Sequence, residues 1–194
     1  MAGETNRART GRQTRKNVAA PLSEDGRLQP QALELEEAVI GACMIERDAF
    51  GLVSDYLKPE SFYDTKHQRI FAAIRDLAAE NSPVDILTVT EQLRKVGDLE
   101  FVGGPVAITE LSRKVLSSAH IEYHARIIAQ KALARELITY TSNIQRQAFD
   151  ESQDVAELMQ QAEGQLFELS KTNMKKDFSQ IDHVINEAYE LLRK

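Results

Sequence analysis

Few side chains in this sequence stand at spacings that do chemistry. The clearest pair is His120 and His124, four residues apart in His-Ile-Glu-Tyr-His. On a helix that spacing puts both rings on one face, close enough to share a metal ion. The zinc-protease pattern needs Glu directly after the first His, however, and Ile121 stands there; no third ligand is identifiable, so a metal site is not expected. His67 lies between the aromatic pair Phe62-Tyr63 and Ile70-Phe71, a setting for a hydrogen-bonded structural histidine rather than a base. Cys43 falls on the apolar side of a helix, as buried filler rather than nucleophile. As the only cysteine, it excludes an intrachain disulfide and a multi-cysteine zinc site, and fits a reducing compartment. None of the nine glycines precedes a lysine, so no phosphate-cradling P-loop is present and nucleotide hydrolysis by this chain is not expected. Gly-x-Ser-x-Gly, the nucleophile elbow, is absent as well. The expectation is a chain without catalytic, cofactor or metal residues.

The elements that hold these residues read as helices throughout. Pro30 stands where a first helical turn tolerates proline. From there Leu33, Glu36/Glu37, Ile40 and Met44 set a period near 3.6, with early acids that suit the helix dipole. A short helix runs from about Asp48 to Tyr56 and stops before Lys58-Pro59. Ile70, Phe71, Ile74, Leu77 and Ala78 share a face of the next, which Asn81-Ser82-Pro83 ends. Asp85 is a good N-cap for a helix bearing Ile86, Leu87, Val89 and Leu93, ended by Gly97. Leu99–Phe101 leads into the turn Gly103-Gly104-Pro105, which opens another short helix through Leu111 and Val115. Residues 118–149 form the longest periodic stretch, roughly 45 Å at about 1.5 Å per residue. After the break at 150–153, Asp154 with Glu157 makes a capping-box-like start for a return helix to about Ser170. A loop this short makes the two helices antiparallel neighbours.

That hairpin has more apolar surface than one seam needs. Ile121, Ala125, Ile128 and Ala132 form one line, Leu133, Leu137, Tyr140 and Ile144 a second, and Tyr123, Ile127, Ala134 and Ile138 a third. The return helix offers Val155, Leu158, Ala162, Leu166 and Leu169, and covers one side only. The rest meets either the body of the domain or a second copy, for which paired hairpins are the natural isologous solution. After a polar linker, 171–177, an amphipathic helix over 178–194 carries Ile181, Val184, Ile185, Ala188, Leu191 and Leu192 on one stripe. A helix of about 15 residues is marginal alone and needs a groove. It reads as the start of a longer protein.

The 194 residues are 42% hydrophobic, enough for a core, and carry a net charge of −6. The charge is uneven: residues 1–20 hold Arg7, Arg9, Arg12, Arg15 and Lys16 against Glu4, for +4, and leave −10 on the rest. A duplex DNA reader needs clustered cations, which the body lacks, and aromatics for base stacking are only 6%. The stretch 1–27 reads as a disordered basic tail. It is either a solubilising extension or an arm that touches nucleic acid or an acidic neighbour. No apolar run approaches a membrane span and no secretory signal is evident.

Several segments, in order, resemble the N-terminal domain of bacterial replicative helicases of the DnaB family. They are Pro30-Gln-Ala-Leu-Glu-Leu-Glu-Glu-Ala-Val-Ile-Gly-Ala-Cys-Met, Leu57-Lys-Pro-Glu-Ser-Phe-Tyr-x-x-x-His67-Gln-Arg-Ile-Phe71, and Val84-Asp85-Ile-Leu-Thr-Val. Gly97-Asp-Leu-Glu, Gly103-Gly104, Ile121-Glu-Tyr-His-Ala-Arg-Ile-Ile128 and Ala162-Glu-x-x-Leu-Phe-Glu-Leu169 follow. The resemblance covers about residues 28–194. It departs at His120, where the family often has Asn, and does not extend to the basic tail.

The resemblance implies an all-α fold: a compact helical body (28–117), a helical hairpin (118–170) and a separate C-terminal linker helix. It implies hairpins that pair into a collar of a hexameric ring, a linker helix that docks on a neighbouring ATPase domain, and recruitment of primase and, in some bacteria, a helicase loader. Candidate hairpin contacts are Ile121, Ile127, Ala134 and Ile138; candidate docking residues are Ile181, Ile185, Ala188 and Leu192. ATP, Mg2+ and DNA would belong to the parent protein, a bacterial cytoplasmic helicase whose ATPase motifs lie downstream. The alternative is a helical nucleic-acid-binding protein that uses the 1–20 arm.

Overall fold

A computed structural model of the chain describes residues 27–115 and 120–171. The basic arm before Arg27 and the linker helix, with Ile181, Ile185, Ala188 and Leu192, lie outside the described residues. Every regular element within them is a helix.

The central rod is α1 (Leu33–Ile45), in which Val39, Ile40, Ala42, Cys43 and Met44 are all buried. A helix apolar on so many sides is enclosed by its neighbours, and α1 touches α3, α6 and α7. It starts three residues after Pro30, not at it. The Ala32 carbonyl accepts from the Leu35 and Glu36 amides at 3.0 Å each, while the Pro30 carbonyl is taken by Arg135 from elsewhere in the fold.

Around the rod lie α2 (Ala49–Ser54), a 3-10 turn at Pro59–Ser61, α3 (Thr65–Ala79), α4 (Ile86–Val96), α5 (Leu99–Val102) and α6 (Gly104–Arg113). Phe62 and Phe71 pack with ring centroids 4.7 Å apart, and Phe50 joins Phe71 at 5.9 Å. As the sequence suggested, Asp85 caps α4: its carboxylate accepts from the Leu87 and Thr88 amides, and Gly97 closes the helix at φ +84°. The stretch after Gly97 is itself a short helix, α5, and not merely a lead-in.

The long helix α7 runs Ile121–Ala148, 28 residues and about 42 Å. His120 is its N-cap, and its carbonyl accepts from the His124 amide at 3.0 Å. Helix α8 occupies 155–171. Asp154 caps it, accepting from the Ala156 amide at 2.7 Å and the Glu157 amide at 3.2 Å. In the turn before it, Asp150 accepts from the Ser152 amide and hydroxyl. These bonds hold Asp150 below the usual carboxylate range, the hydroxyl contributing most. Tyr140 donates to the Ala162 carbonyl, and Leu158 is buried. The hairpin is antiparallel, as expected.

Its seam differs from the sequence reading. Leu158, Ala162 and Leu169 turn inward, but Val155 and Leu166 are exposed, with Met159 beside them. At 100° per residue those three share a line displaced from the seam.

Candidate interaction site at the root and flanks of the hairpin

α7 divides into two parts. From Ile121 to Ala132, the line Ile121, Ala125, Ile128, Ala132 is sunk in the body. This decides the first alternative for that line: its apolar surface is consumed by the body. Ile121, expected to meet a second copy, is only 3% exposed and belongs to the core with Ile128 and Ala125. That expectation is corrected, because Ile121 is the first residue of the buried stem. Ile127, Ala134 and Ile138 lie on a different face and are half-buried, with Tyr123 beside them 65% exposed.

Two polar braces fix the stem. Near its start, the Tyr56 hydroxyl donates to Glu122 Oε1 at 2.7 Å, and Arg126 Nη2 donates to the same oxygen at 2.6 Å and to the Tyr56 hydroxyl at 3.1 Å. The guanidinium also sits over the Tyr56 ring, 5.2 Å from its centroid. Burial, then the bond to Glu122, raises the Tyr56 pKa. The second brace is Arg135. Its two terminal nitrogens donate to the carbonyls of Pro30 at 2.9 Å and Ser61 at 2.7 Å. Its guanidinium lies 5.6 Å from the centre of the Tyr63 ring. Burial pulls the Arg135 pKa below its ordinary value, opposed first by Glu36; a guanidinium remains charged regardless.

Glu36 is the residue the sequence reading missed. It was taken as an early acid serving the helix dipole, yet it is 1% exposed. Its carboxylate accepts from the amides of Tyr63 at 2.7 Å and Asp64 at 3.4 Å. His67 Nδ1 stands 2.8 Å from its second oxygen, and an ionised carboxylate can only accept, so the ring nitrogen donates. His67 is thus the hydrogen-bonded structural histidine expected. The missed signal was spacing: Glu36, Ile40 and Cys43 recur at four and three, which places Glu36 on the buried face. Arg135 was missed similarly, seven residues beyond Ile128 on the body-facing line.

Between hairpin and body opens a groove of about 740 Å³. Ala132, Arg135, Thr139, Tyr140 and Asn143 of α7 face Gln165 and Leu169 of α8 across it, with Gln29 at its mouth. Three carboxylates, Glu60, Glu136 and Glu168, line it.

Cys43 is buried, which pushes its thiol up to about 12. Among the described residues there is no group of three or more His, Cys, Asp or Glu placed to hold a metal ion. Nor, among them, is any helix long and apolar enough to cross a membrane. The fold and these surfaces define an all-helical body-and-hairpin domain whose buried charges are spent on structural bonds.

Comparison with known proteins gives that architecture a family. Residues 28–130 match the model of the DnaB-like helicase N terminal domain, and the chain belongs to that family. It is 44% identical over 182 residues to the replicative DNA helicase DnaB of Rhodothermus marinus, and 34% identical over 164 residues to the replicative DNA helicase DnaC of Bacillus subtilis. Those matches cover 94% and 84% of this chain but only 19% and 36% of the two relatives. The crystal structure of the N-terminal domain of DnaB helicase from Mycobacterium tuberculosis superposes with a TM-score of 0.68 at 31% identity, covering 73% of this chain and 99% of that one. A second solved structure, of a DnaB-like replicative helicase and its interactions with primase, shares the fold at a TM-score of 0.61 and 24% identity, over 73% of this chain and 31% of that one.

Proposed function

We propose that this chain is the non-catalytic collar portion of a bacterial cytoplasmic replicative DNA helicase, and that it assembles the ring by pairing its hairpin with that of a second copy. The observation that carries the proposal is the uncovered apolar surface on the flank of α7 and on α8. Tyr123 and Leu137 on α7, and Val155, Met159 and Leu166 on α8, are exposed although each is large and apolar. Large apolar side chains left exposed along one line of each helix mark an interaction site. Ile127, Ala134 and Ile138 form the α7 side of the contact; Ile121 contributes by anchoring the stem.

In the same proposal, Ile181, Ile185, Ala188 and Leu192 dock the linker helix on a neighbouring ATPase domain, the part that carries ATP and Mg2+ and engages DNA. Primase is the partner supported by the relative solved with primase interactions, and a helicase loader is a second.

The test of pairing is light scattering on the wild type and on Ile127→Asp/Ile138→Asp. The wild type associates and the double variant, with its helicity retained by circular dichroism, runs at the monomer mass. A wild type already monomeric at high concentration overturns the reading. For the linker, Ile185→Asp in the whole helicase weakens hexamer formation or ATPase turnover; unchanged hexamers and turnover remove that role. For recruitment, purified primase is retained by the immobilised chain; no retention removes primase from the proposal.

A further inference from the structure

The groove at the hairpin root is acidic, whereas the sequence upstream of Gln29 is basic. Of its three carboxylates, Glu168 pairs with Lys171 at 3.6 Å, while Glu60 and Glu136 share the lining with one cation, Arg135, which is already engaged with two backbone carbonyls. The return limb deepens the field: residues 150–171 hold six acids against Lys171 alone. The floor supplies apolar and hydrogen-bonding surface through Ala132, Tyr140 and Leu169. Gln29, two residues after the first described position, lines the mouth.

Upstream stand Arg7, Arg9, Arg12, Arg15 and Lys16, the densest run of cations in the chain. Glu24 and Asp25 stand between that run and Gln29 in the sequence. The ten residues 17–26 span up to about 35 Å at about 3.5 Å each. The stretch of α7 lining the groove, 132–143, is roughly 16 Å long. Reach is therefore ample. A segment tethered this closely meets its site at an effective concentration on the order of millimolar, so individually weak ion pairs suffice to seat it.

We infer that residues 7–16 fold back in cis into the groove formed by α7, α8 and the 3-10 turn, with their guanidinium groups on Glu60 and Glu136. Any partner that needs this groove, or the arm, must displace one from the other.

The experiment places a nitroxide on Thr10→Cys in the full chain, the buried Cys43 remaining unlabelled, and reads paramagnetic broadening of backbone amides. Amides of Thr139, Asn143 and Gln165 lose intensity. They recover in about 1 M salt, where the screening length falls to about 3 Å. They recover also in Glu60→Lys/Glu136→Lys, both exposed positions. A second variant, Arg12→Gln/Arg15→Gln/Lys16→Gln, leaves the folded residues untouched and gives the same recovery. Mixing spin-labelled unenriched chain with isotope-enriched unlabelled chain separates cis from trans: broadening of the same amides in the mixture means the arm seats on another copy, and overturns the proposal. It is overturned equally if these amides are unaffected while deletion of residues 1–20 abolishes salt-sensitive binding of a single-stranded oligonucleotide. Broadening that persists in both charge variants overturns it as well.

Discussion

The substitution Glu36→Gln isolates the buried brace with almost no change of volume. The carboxylate receives three N–H groups, two at 2.7 and 2.8 Å and one at 3.4 Å. The amide keeps one oxygen for the Tyr63 N–H. Its NH2 group then faces the Asp64 amide and His67 Nδ1, donor against donor. His67 can move its proton to Nε2 and accept, but the Asp64 amide has no such escape. Two short bonds lose their charge assistance, at about 1 kcal/mol each, and a partly buried donor goes unsatisfied for about 1 more. The expected loss is about 3 kcal/mol, which for a chain this size lowers the melting temperature by on the order of 10 °C. The neighbouring residue is the control. Glu37 pairs with Lys114 at 2.7 Å, but its side chain is a quarter exposed and the lysine half exposed. Glu37→Gln therefore costs about 0–1 kcal/mol. Urea and thermal unfolding followed by circular dichroism, with both variants at one protein concentration, compare them directly. Equal shifts from the two substitutions would refute the assignment of Glu36 as the brace.

Three other outcomes follow from named contacts. A Cβ at Gly41 would press on the Leu111 carbonyl oxygen and lie 2.7 Å from Val115 Cγ2, so Gly41→Ala destabilises by about 1–3 kcal/mol in urea titrations through forced separation of α1 and α6. Arg135→Lys gives up a fork that holds two carbonyls, and lowers the urea midpoint by an amount equivalent to about 1–2 kcal/mol. Cys43 resists a disulfide reagent in the native chain at pH 8 and reacts on unfolding. Its thiol keeps its proton to about 12 when folded, against 9.0 ordinarily, so its contribution is complete below pH 9 and is lost as pH climbs from there toward 12. Cys43→Ala shows a shallower alkaline decline of the urea midpoint than the wild type.

The helical class, the N-cap at Asp85, the stop at Gly97 and the antiparallel hairpin were all legible because each depends on local chemistry and period. What was not legible depends on partners distant in sequence. Glu36 and Glu37 are adjacent and identical in type, yet one is enclosed by residues 63–67 and the other pairs with Lys114. Nothing local distinguishes a carboxylate that serves a helix end from one that receives amides 27 residues away. The same holds on α7, where three apolar lines were visible but their allocation was not. Only the packed body shows that Ile121 is consumed in the core while Tyr123, two residues on, stands exposed. The motif around His67 becomes physical in this light. Phe62 fills the core, the Tyr63 amide and His67 bind Glu36, and Gln68 Nε2 donates to the Phe62 carbonyl at 2.8 Å.

The two braces decide the direction in which the hairpin points. Arg126 and Arg135 are nine residues apart on one helix, about 13 Å along its axis. Each is fixed to a different part of the body, the first to Tyr56 and the second to Pro30 and Ser61. A rod held at two separated points cannot pivot about either. Between Ile121 and Ala148 there is no proline or glycine to absorb a bend. The exposed flank is therefore presented at an angle set by the monomer, and a second copy would present the same angle. Identical angles satisfy a two-fold contact without adjustment. By the same mechanics, a partner that tilts the hairpin must loosen the Arg135 fork, and with it the loop that Glu36 holds.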